Sequence, residues 1–197
     1  MRDKEATREK ILSAAEAVFA EKGYHETLMD EIGQVAQASK GAIYFHFPSK
    51  ERLFFALMDR LAAALLSEVE RAIAGQHGAL AKVQAALEAV VTALSRRRHL
   101  AKVLLLQGYG LGPNFEAKRL EIYAQFATLI RKRLEEAVTE GSIPPLDAEV
   151  TAYAWLGAIN ELLVRWLLTG QPDLKKRSLP ALSSLLLRSI GADRKLD

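Results

Sequence analysis

The chain has 197 residues, of which 50% are hydrophobic and 26% charged, a composition typical of a globular protein and not of a disordered one. It contains no cysteine, which excludes disulfides, cysteine nucleophiles and cysteine-ligated metals. No apolar run approaches the ~20 residues of a membrane span. The charged start Met1–Glu5 also lacks the apolar stretch of a signal peptide, so we expect a cytoplasmic protein.

The positive charge of the chain is local rather than global. The formal net charge is +3, but residues 1–60 hold nine Lys or Arg and ten Asp or Glu. Residues 32–50 contain no acid and carry Lys40, His46 and Lys50. A phosphate would therefore be attracted to this segment and not by a field of the whole molecule.

The first helices can be placed from the apolar period of 3.6 residues. Ile11, Ala15 and Phe19 share one face of a helix that should end at Gly23, which is suited to a left-handed cap. Thr27 has the position of an N-cap for a short helix at about 28–35, and a second short helix is expected at about 39–45. Ser49 is placed to cap the helix that follows Pro48.

Glycine and proline stops divide the rest of the chain into six further helices, at about 50–74, 77–95, 98–110, 113–140, 147–169 and 174–190. No stretch shows the alternation of a strand. We therefore predict an all-α fold of about nine helices. Residues 1–48 would form a three-helix N-terminal domain, and residues 49–197 a helical bundle.

The two short helices, separated by three or four residues, are typical of a helix-turn-helix. Their apolar side chains can close against the first helix: Ile32, Val35, Ala36, Ile43 and Phe47. The second helix would then present an outer face to the major groove. Small residues on that face allow close approach to bases, while longer polar tips reach phosphates or base edges: Ser39, Lys40, Gly41, Ala42, Tyr44 and His46. On periodicity alone, a hairpin that merely caps a larger bundle is an equal alternative.

The segments Thr27–Ile32 and Ala38–Phe54 look like the N-terminal signature of TetR-family transcriptional regulators, and the resemblance covers about residues 7–58. It implies that residues 1–48 are a helix-turn-helix DNA-binding domain with the recognition helix Ser39–His46, and that residues 49–197 serve ligand binding and dimerisation. It also implies phosphate contacts by Thr27, Tyr44, His46 and Lys50, and base-edge contacts by Lys40, Gly41 and Ala42. Lys50 would stand at the start of a helix, whose amides and dipole also favour an anion.

Two residues depart from the family pattern. Gln37, which we include among the DNA-binding candidates, stands where the turn normally has a glycine. At positive φ it would cost about 1–2 kcal/mol. Gly33 replaces the usual alanine in the first short helix, at a cost of about 1 kcal/mol.

The C-terminal bundle is expected to hold an apolar ligand, because bundles bind ligands between their helices. Candidate lining residues are inward apolar side chains together with polar residues that interrupt apolar faces: Leu61, Leu65, Leu104, Gln107, Phe115, Tyr123, Phe126, Tyr153, Asn160 and Trp166. Leu120 is also expected to face inward. For any one of these residues a plain core position is the commoner role.

Two further stretches, Gly157–Trp166 and the region of Leu106–Gln107, resemble TetR-family members that respond to long-chain acyl-CoA and govern fatty-acid degradation. The resemblance implies a repressor that a small apolar effector, such as a long-chain acyl-CoA, releases from DNA. The basic cluster Arg96–His99 with Lys102 is suited to CoA phosphates, although such a cluster is more often a solvated helix end at the negative pole of the helix dipole. The family dimerises through its last two helices, so a homodimer should read a pseudo-palindromic operator.

Two other classes of protein compete with this interpretation. An enzyme is poorly supported, because the histidines at 25, 46, 77 and 99 lack metal-ligand spacing and the chain has no nucleophile elbow or P-loop. We accordingly expect no metal and no cofactor. A helical adaptor that binds no DNA is the other alternative, and salt-dependent duplex binding separates it from a repressor.

Overall fold

The computed structural model describes residues 2–107 and 111–192. Within these ranges the chain forms α-helices and no strand, which confirms the all-α prediction. The described residues form nine α-helices: α1 (Arg2–Glu26), α2 (Met29–Ala36), α3 (Lys40–His46), α4 (Lys50–Ala74), α5 (Ala79–Arg96), α6 (Arg98–Lys102), α7 (Pro113–Thr139), α8 (Ala148–Thr169) and α9 (Leu179–Ser189). A π-helical segment, Val103–Gln107, follows α6, and another, Leu174–Ser178, precedes α9.

The helices form two compact units. The first comprises Met1–Ala63 and Arg97–Lys118, and the second comprises Ala64–Arg96 and Arg119–Asp197. These structural units do not follow a single cut after residue 48, since the first half of α4 and the segment around α6 belong with the helix-turn-helix. The predicted assignment of functions to 1–48 and 49–197 stays a prediction.

The core of the first unit is organised by the apolar stripe of α1. Ile11 and Phe19 are fully buried, and α2 and α3 add Ile32 and Ile43 to the same core. Leu53, Phe54 and Leu57 of α4 complete it. Val35 was expected in this core but is 57% exposed, because the buried face of α2 runs through Met29, Ile32, Gly33 and Ala36 and leaves position 35 on the opposite side.

The end of α1 differs from the prediction. Gly23 does adopt a positive φ of 81°, but helical structure resumes after it and continues to Glu26. Thr27 is not the N-cap of α2. Its side chain is fully buried and its hydroxyl donates to the carbonyl of Gly23 at 2.6 Å. Leu28 takes the N-cap position instead, and its amide donates to the Glu31 carboxylate at 3.1 Å.

The turn between α2 and α3 depends on two departures from the family pattern. Gln37 lies in the left-handed region (φ 51°, ψ 39°), as expected for a residue that replaces glycine. Gly33 allows α3 to approach closely, because a Cβ at this position would lie 2.9 Å from Cδ1 of Ile43. Glycine at this position therefore destabilises α2 as a helix but allows the two short helices to pack closely.

The second unit is built on α5, α7, α8 and α9. Its largest buried cluster takes residues from these helices and from the α7–α8 loop: Leu87, Leu134, Ile143, Trp155, Leu182, Leu186 and Ile190. The indole of Trp155 donates to Oγ of Ser189 at 3.0 Å, which satisfies its buried N–H. Asp147 caps the start of α8 by accepting from the Val150 amide, and Gly170 ends this helix at φ 75°.

Among the described residues, no helix combines the length and the apolar character that crossing a membrane requires.

Candidate nucleic-acid interface

The recognition helix α3 has one buried side and one open side. Ser39 caps it by accepting from the Ala42 amide at 3.2 Å, and Ile43 with Phe47 anchors it to the core. The outer face carries the side chains that were expected there: Lys40, Gly41 and Tyr44 are exposed, while Ala42 and His46 are half-buried. Gln37, at the preceding turn, is also exposed. A helix of seven residues is too short to be stable alone, so its packed side holds it in place.

Lys40 is available for contact with DNA. Its side chain is 73% exposed, and its ammonium lies 3.4 Å from the Asp30 carboxylate at the start of α2. An exposed pair of this kind contributes little to stability, so it can exchange for a contact with DNA at low cost.

Phe45 is a candidate contact that the sequence reasoning missed. It is 67% exposed on α3, and the Lys4 ammonium lies 4.8 Å from its ring centroid. Arg8, one turn further along α1, stands 5.4 Å from the ring centroid of Phe47. The helical period could have revealed Phe45, since it lies between the buried positions 43 and 47 on the outer side.

Two of the residues that the resemblance assigned to phosphates have other partners in this structure. The side chain of Thr27 is buried, so its hydroxyl cannot reach a phosphate. The Lys50 ammonium donates to the carbonyls of Tyr24, Thr27 and His25 at 2.8, 2.9 and 3.0 Å. In this structure the protein itself engages the Lys50 ammonium, and the assignment of Lys50 to a phosphate stays a prediction.

The start of α2 is fixed by a charged pair. The Lys22 ammonium lies 2.6 Å from the Glu31 carboxylate, which also accepts from the Leu28 amide. The hydrogen bond from Lys22, with that from the amide, lowers the pKa of Glu31. The same pair raises the pKa of Lys22. Leu28, the N-cap residue of α2, is 61% exposed.

Three predicted ligand-lining residues belong to the first unit. Phe115 is buried, and its ring centroid lies 5.8 Å from that of Phe54 and 6.0 Å from that of Phe55. Leu61 and Leu104 are half-buried. Phe115 is thus a member of the aromatic core of this unit.

The other predicted lining residues belong to the second unit, apart from Gln107, whose side chain lies outside the described residues. Tyr123 donates its hydroxyl to Oδ1 of Asn160 at 2.5 Å, so the structure brings these two together. Trp166 packs on the buried cluster of Val91, Leu163 and Leu174, while Leu65 and Phe126 are half-buried. Tyr153 and Leu120 were expected inward but are 48% and 61% exposed, because α8 and α7 turn those positions to the outside.

A small cavity lies between α5, α8 and the segment leading into α9. Its volume is about 10 Å³, which suits at most one water molecule and not an acyl chain. Its lining is apolar apart from Ser178, whose hydroxyl donates to the Asp173 carbonyl.

The basic cluster Arg96–His99 is partly used within the protein. Arg97 lies 3.4 Å from the Glu16 carboxylate of α1, and the same carboxylate binds Arg60 of α4 at 2.5 Å. This member of the cluster therefore links α1 to the start of α6 within the first unit.

Comparison with known proteins identifies the family. Residues 11–57 match the family model described as "Bacterial regulatory proteins, tetR family". Residues 76–168 match the model "Tetracyclin repressor-like, C-terminal domain". The chain belongs to the TetR family. This confirms the resemblance seen in α2 and α3, and it makes the protein a transcriptional regulator and not an enzyme.

The TetR-family relatives include regulators of different processes. The fatty acid metabolism regulator protein of Bacillus subtilis (strain 168) is 26% identical over 188 residues, which cover 95% of each chain. The nucleoid occlusion factor SlmA of Vibrio atlanticus (strain LGP32) is 28% identical over 166 residues, or 81% of this chain and 83% of that protein. The structure of the transcriptional regulator FadR from Bacillus subtilis in complex with stearoyl-CoA has a TM-score of 0.78 at 25% identity, covering 93% of this chain and 97% of that one.

Proposed function

We propose that this protein is a repressor that binds a pseudo-palindromic operator as a homodimer and leaves it when a long-chain acyl-CoA binds. The observation that carries the DNA-binding part is the outer face of α3, where small residues lie between longer polar ones. An added Cβ at Gly41 would meet no atom within 4 Å, so this side of the helix is open. Such a face can approach base edges in the major groove closely. This function places the protein in the cytoplasm with the chromosome.

The contacts with DNA divide into two kinds. Lys40, Gly41 and Ala42 would lie at base edges, at the N-terminal end of the recognition helix. Tyr44 and His46 would hold phosphates, together with Ser39 and Gln37 at the start of the helix. The buried Thr27 side chain is removed from this set.

The dimer is proposed to form through α8 and α9. Four large apolar side chains of these helices are exposed: Val150, Tyr153, Leu168 and Leu185. Gly157, on the exposed side of α8, leaves open space where a partner helix could approach. Exposed apolar side chains concentrated on two helices are typical of a protein–protein contact. Tyr153 thus supports dimerisation better than ligand lining.

The effector is proposed from the relatives and from one polar pair. The related FadR was solved with stearoyl-CoA, and Tyr123 and Asn160 form a half-buried pair of a hydroxyl and an amide in the second unit. A few placed polar groups within an apolar lining are what fixes the orientation of a ligand. Residues 49–197 would then provide ligand binding and dimerisation, and 1–48 would read DNA.

Selection of duplexes from a random pool by the purified protein tests the DNA-binding part. We expect an enriched sequence with two inverted half-sites about 34–36 Å apart, centre to centre. Binding to it should weaken steeply with salt, since phosphate contacts release counterions. A pool without enrichment, or sedimentation as a clean monomer of 21.8 kDa at micromolar concentration, would contradict the proposal.

Titration of the operator complex with stearoyl-CoA, free CoA and stearate tests the effector. Only the acylated cofactor should release DNA, and Tyr123→Phe should require more of it because the bond to Asn160 is lost. Tenfold loss of DNA affinity at saturation requires about 1.4 kcal/mol of coupling. If saturating stearoyl-CoA releases nothing, acyl-CoA is removed as effector while the DNA-binding proposal stands.

A further inference from the structure

Lys50 is a lysine at the first position of a helix, where its charge is unfavourable. The N-terminal end of a helix carries a partial positive charge and favours anions. Ser49 already caps α4, by accepting from the Arg52 amide at 3.2 Å. The capping of α4 therefore gives no reason for a lysine at this position.

The Lys50 ammonium is fully occupied by the end of α1 and the residue that follows this helix. An ammonium has three donors, and here each has a carbonyl partner: Tyr24, His25 and Thr27, at 2.8 to 3.0 Å. The carbonyls at the end of a helix have no partner within the helix, and cations are favoured there. Lys50 thus caps the C-terminal end of α1, although it lies 23 to 26 residues after the carbonyls that it binds.

The surroundings of Lys50 hold the side chain in this arrangement. Its ammonium lies 4.7 Å from the ring centroid of Tyr24, and this ring packs edge-on against Phe54 at 4.8 Å. Phe54 in turn lies on Phe19, with ring centroids 5.1 Å apart. Burial lowers the pKa of Lys50, an effect that the charge of Glu26 opposes. The aromatic cluster therefore fixes both partners of the bridge, one on α1 and one on α4.

The bridge closes a loop that contains the whole reading element. α2 and α3 occupy residues 29–46, between the last turn of α1 and the first residue of α4. Both ends of this element are joined at one ammonium. We infer that Lys50 is a positioning residue, which fixes the orientation of α2 and α3 by tying α1 to α4 and contributes to DNA binding through that geometry and not through a phosphate. The inference rests on the proposed DNA binding for its functional part only.

The salt dependence of binding separates the two roles. A lysine that neutralises a phosphate contributes about 0.9 to the slope of log affinity against log salt. Lys50→Met keeps the length of the side chain and removes the charge and the donors. We expect it to bind the operator about tenfold more weakly, as when the contact to one base pair is lost, with the slope of the wild type. The matched control is Lys40→Met on the exposed face of α3, which removes an ammonium placed at a base edge and should change the preferred half-site.

Hydrogen exchange supplies a readout that does not need DNA. In Lys50→Met the amides of residues 23–47 should exchange faster than in the wild type, and those of α8 should not change. Lys50→Arg is the second variant, for use if Lys50→Met does not fold. It keeps the charge but cannot place three donors on three carbonyls in the same way, so exchange in 23–47 should rise there too.

The result that overturns the inference is equally specific. A slope lowered by about 0.9 in Lys50→Met would show a phosphate contact, whatever the exchange rates do. Unchanged exchange of residues 23–47 would also overturn it. If the wild type itself binds no duplex in a salt-dependent way, the proposed function fails, and the exchange comparison still decides whether Lys50 holds α1 and α4 together.

Discussion

Two phenylalanines nine residues apart show how the first unit divides its tasks. Phe45 lies on α3 with 67% of its surface exposed, whereas Phe54 on α4 is fully buried. Phe54 packs on Phe19, Tyr24 and Phe115, which come from two other helices. The ring of Phe45 is contacted by the Lys4 ammonium and by its sequence neighbour His46. One aromatic side chain builds the support and the other builds the reading surface.

The comparison indicates where stability resides. The support consists of α1, α4 and the start of α7, whose aromatic rings interlock. α3 contributes Ile43 and Phe47 to the core and keeps the rest of its surface for a partner. Residues on the outer face of α3 can therefore change with little effect on folding, while changes in the support should unfold the reading element.

Phe54→Ala should have the largest effect on stability. Removing a fully buried aromatic side chain typically lowers the free energy of unfolding by about 3–5 kcal/mol. Phe45→Ala is the matched control and should stay within about 0.5 kcal/mol of the wild type while it weakens DNA binding. Chemical denaturation followed by circular dichroism measures both. Equal losses in the two variants would break the comparison.

Arg60→Ala should have the next largest effect. Arg60 is three-quarters buried and donates to the Leu12 carbonyl and the Glu16 carboxylate of α1, at 3.3 and 2.5 Å. Loss of hydrogen bonds with charged groups should cost about 1–2 kcal/mol here. Arg52→Ala, at an exposed position on the same helix, should cost less than about 0.5 kcal/mol. An Arg60→Ala protein as stable as Arg52→Ala would show that the aromatic rings and Lys50 link α1 to α4 without a contribution from Arg60.

The start of α2 should respond to pH. The folded-state pKa of Glu31 is below its ordinary value, so its carboxylate stabilises the protein above that value, and this contribution is lost as the pH falls through the folded pKa. Glu31→Gln should therefore lose less stability than the wild type between about pH 5 and pH 3. The exposed Glu88→Gln should follow the wild type. If the stability of Glu31→Gln and of the wild type falls in parallel as the pH is lowered, the Lys22–Glu31 pair does not stabilise the start of α2.

Gln37→Gly should have the smallest effect, and a favourable one. Gln37 is held at φ 51°, where glycine has no steric penalty but loses more backbone freedom on folding. The two effects leave a gain of up to about 1 kcal/mol. Thermal melting measures it, with Gln34→Gly, in the helical part of α2, as a control that should be destabilised. A destabilised Gln37→Gly would show that the glutamine side chain makes a contact that outweighs the backbone strain.

What the sequence could predict depends on the range of the interaction. The caps at Ser39 and Ser49 follow from residues within four positions, and the left-handed turn at Gln37 follows from the resemblance to a family that has a glycine there. The structure has all three. The partners of Lys50 lie 23 to 26 residues away, so no local pattern could reveal them. The prediction of Thr27 as the N-cap of α2 was wrong for a related reason. The start of α2 is held by the pair of Lys22 and Glu31 and not by a capping side chain at position 27.

The second unit shows the other limit of sequence reasoning. The helical period correctly places the helices, but it cannot distinguish a stripe that faces the core from one that faces a partner. Tyr153 and Leu120 have the period of core residues and are exposed. Asn160 was found because a polar residue that interrupts an apolar face requires a partner, and here its partner is Tyr123, which was selected as an inward aromatic side chain.

The central claim is that the outer face of α3 reads base edges, and Gly41→Ala tests it most directly. An added methyl group meets no atom within 4 Å, and alanine favours a helix by about 1 kcal/mol over glycine, so folding should be unchanged or improved. Duplex selection with Gly41→Ala and the wild type side by side is the measurement. We predict a different enriched half-site, with unchanged affinity for random DNA. An identical half-site bound with identical affinity would contradict the account.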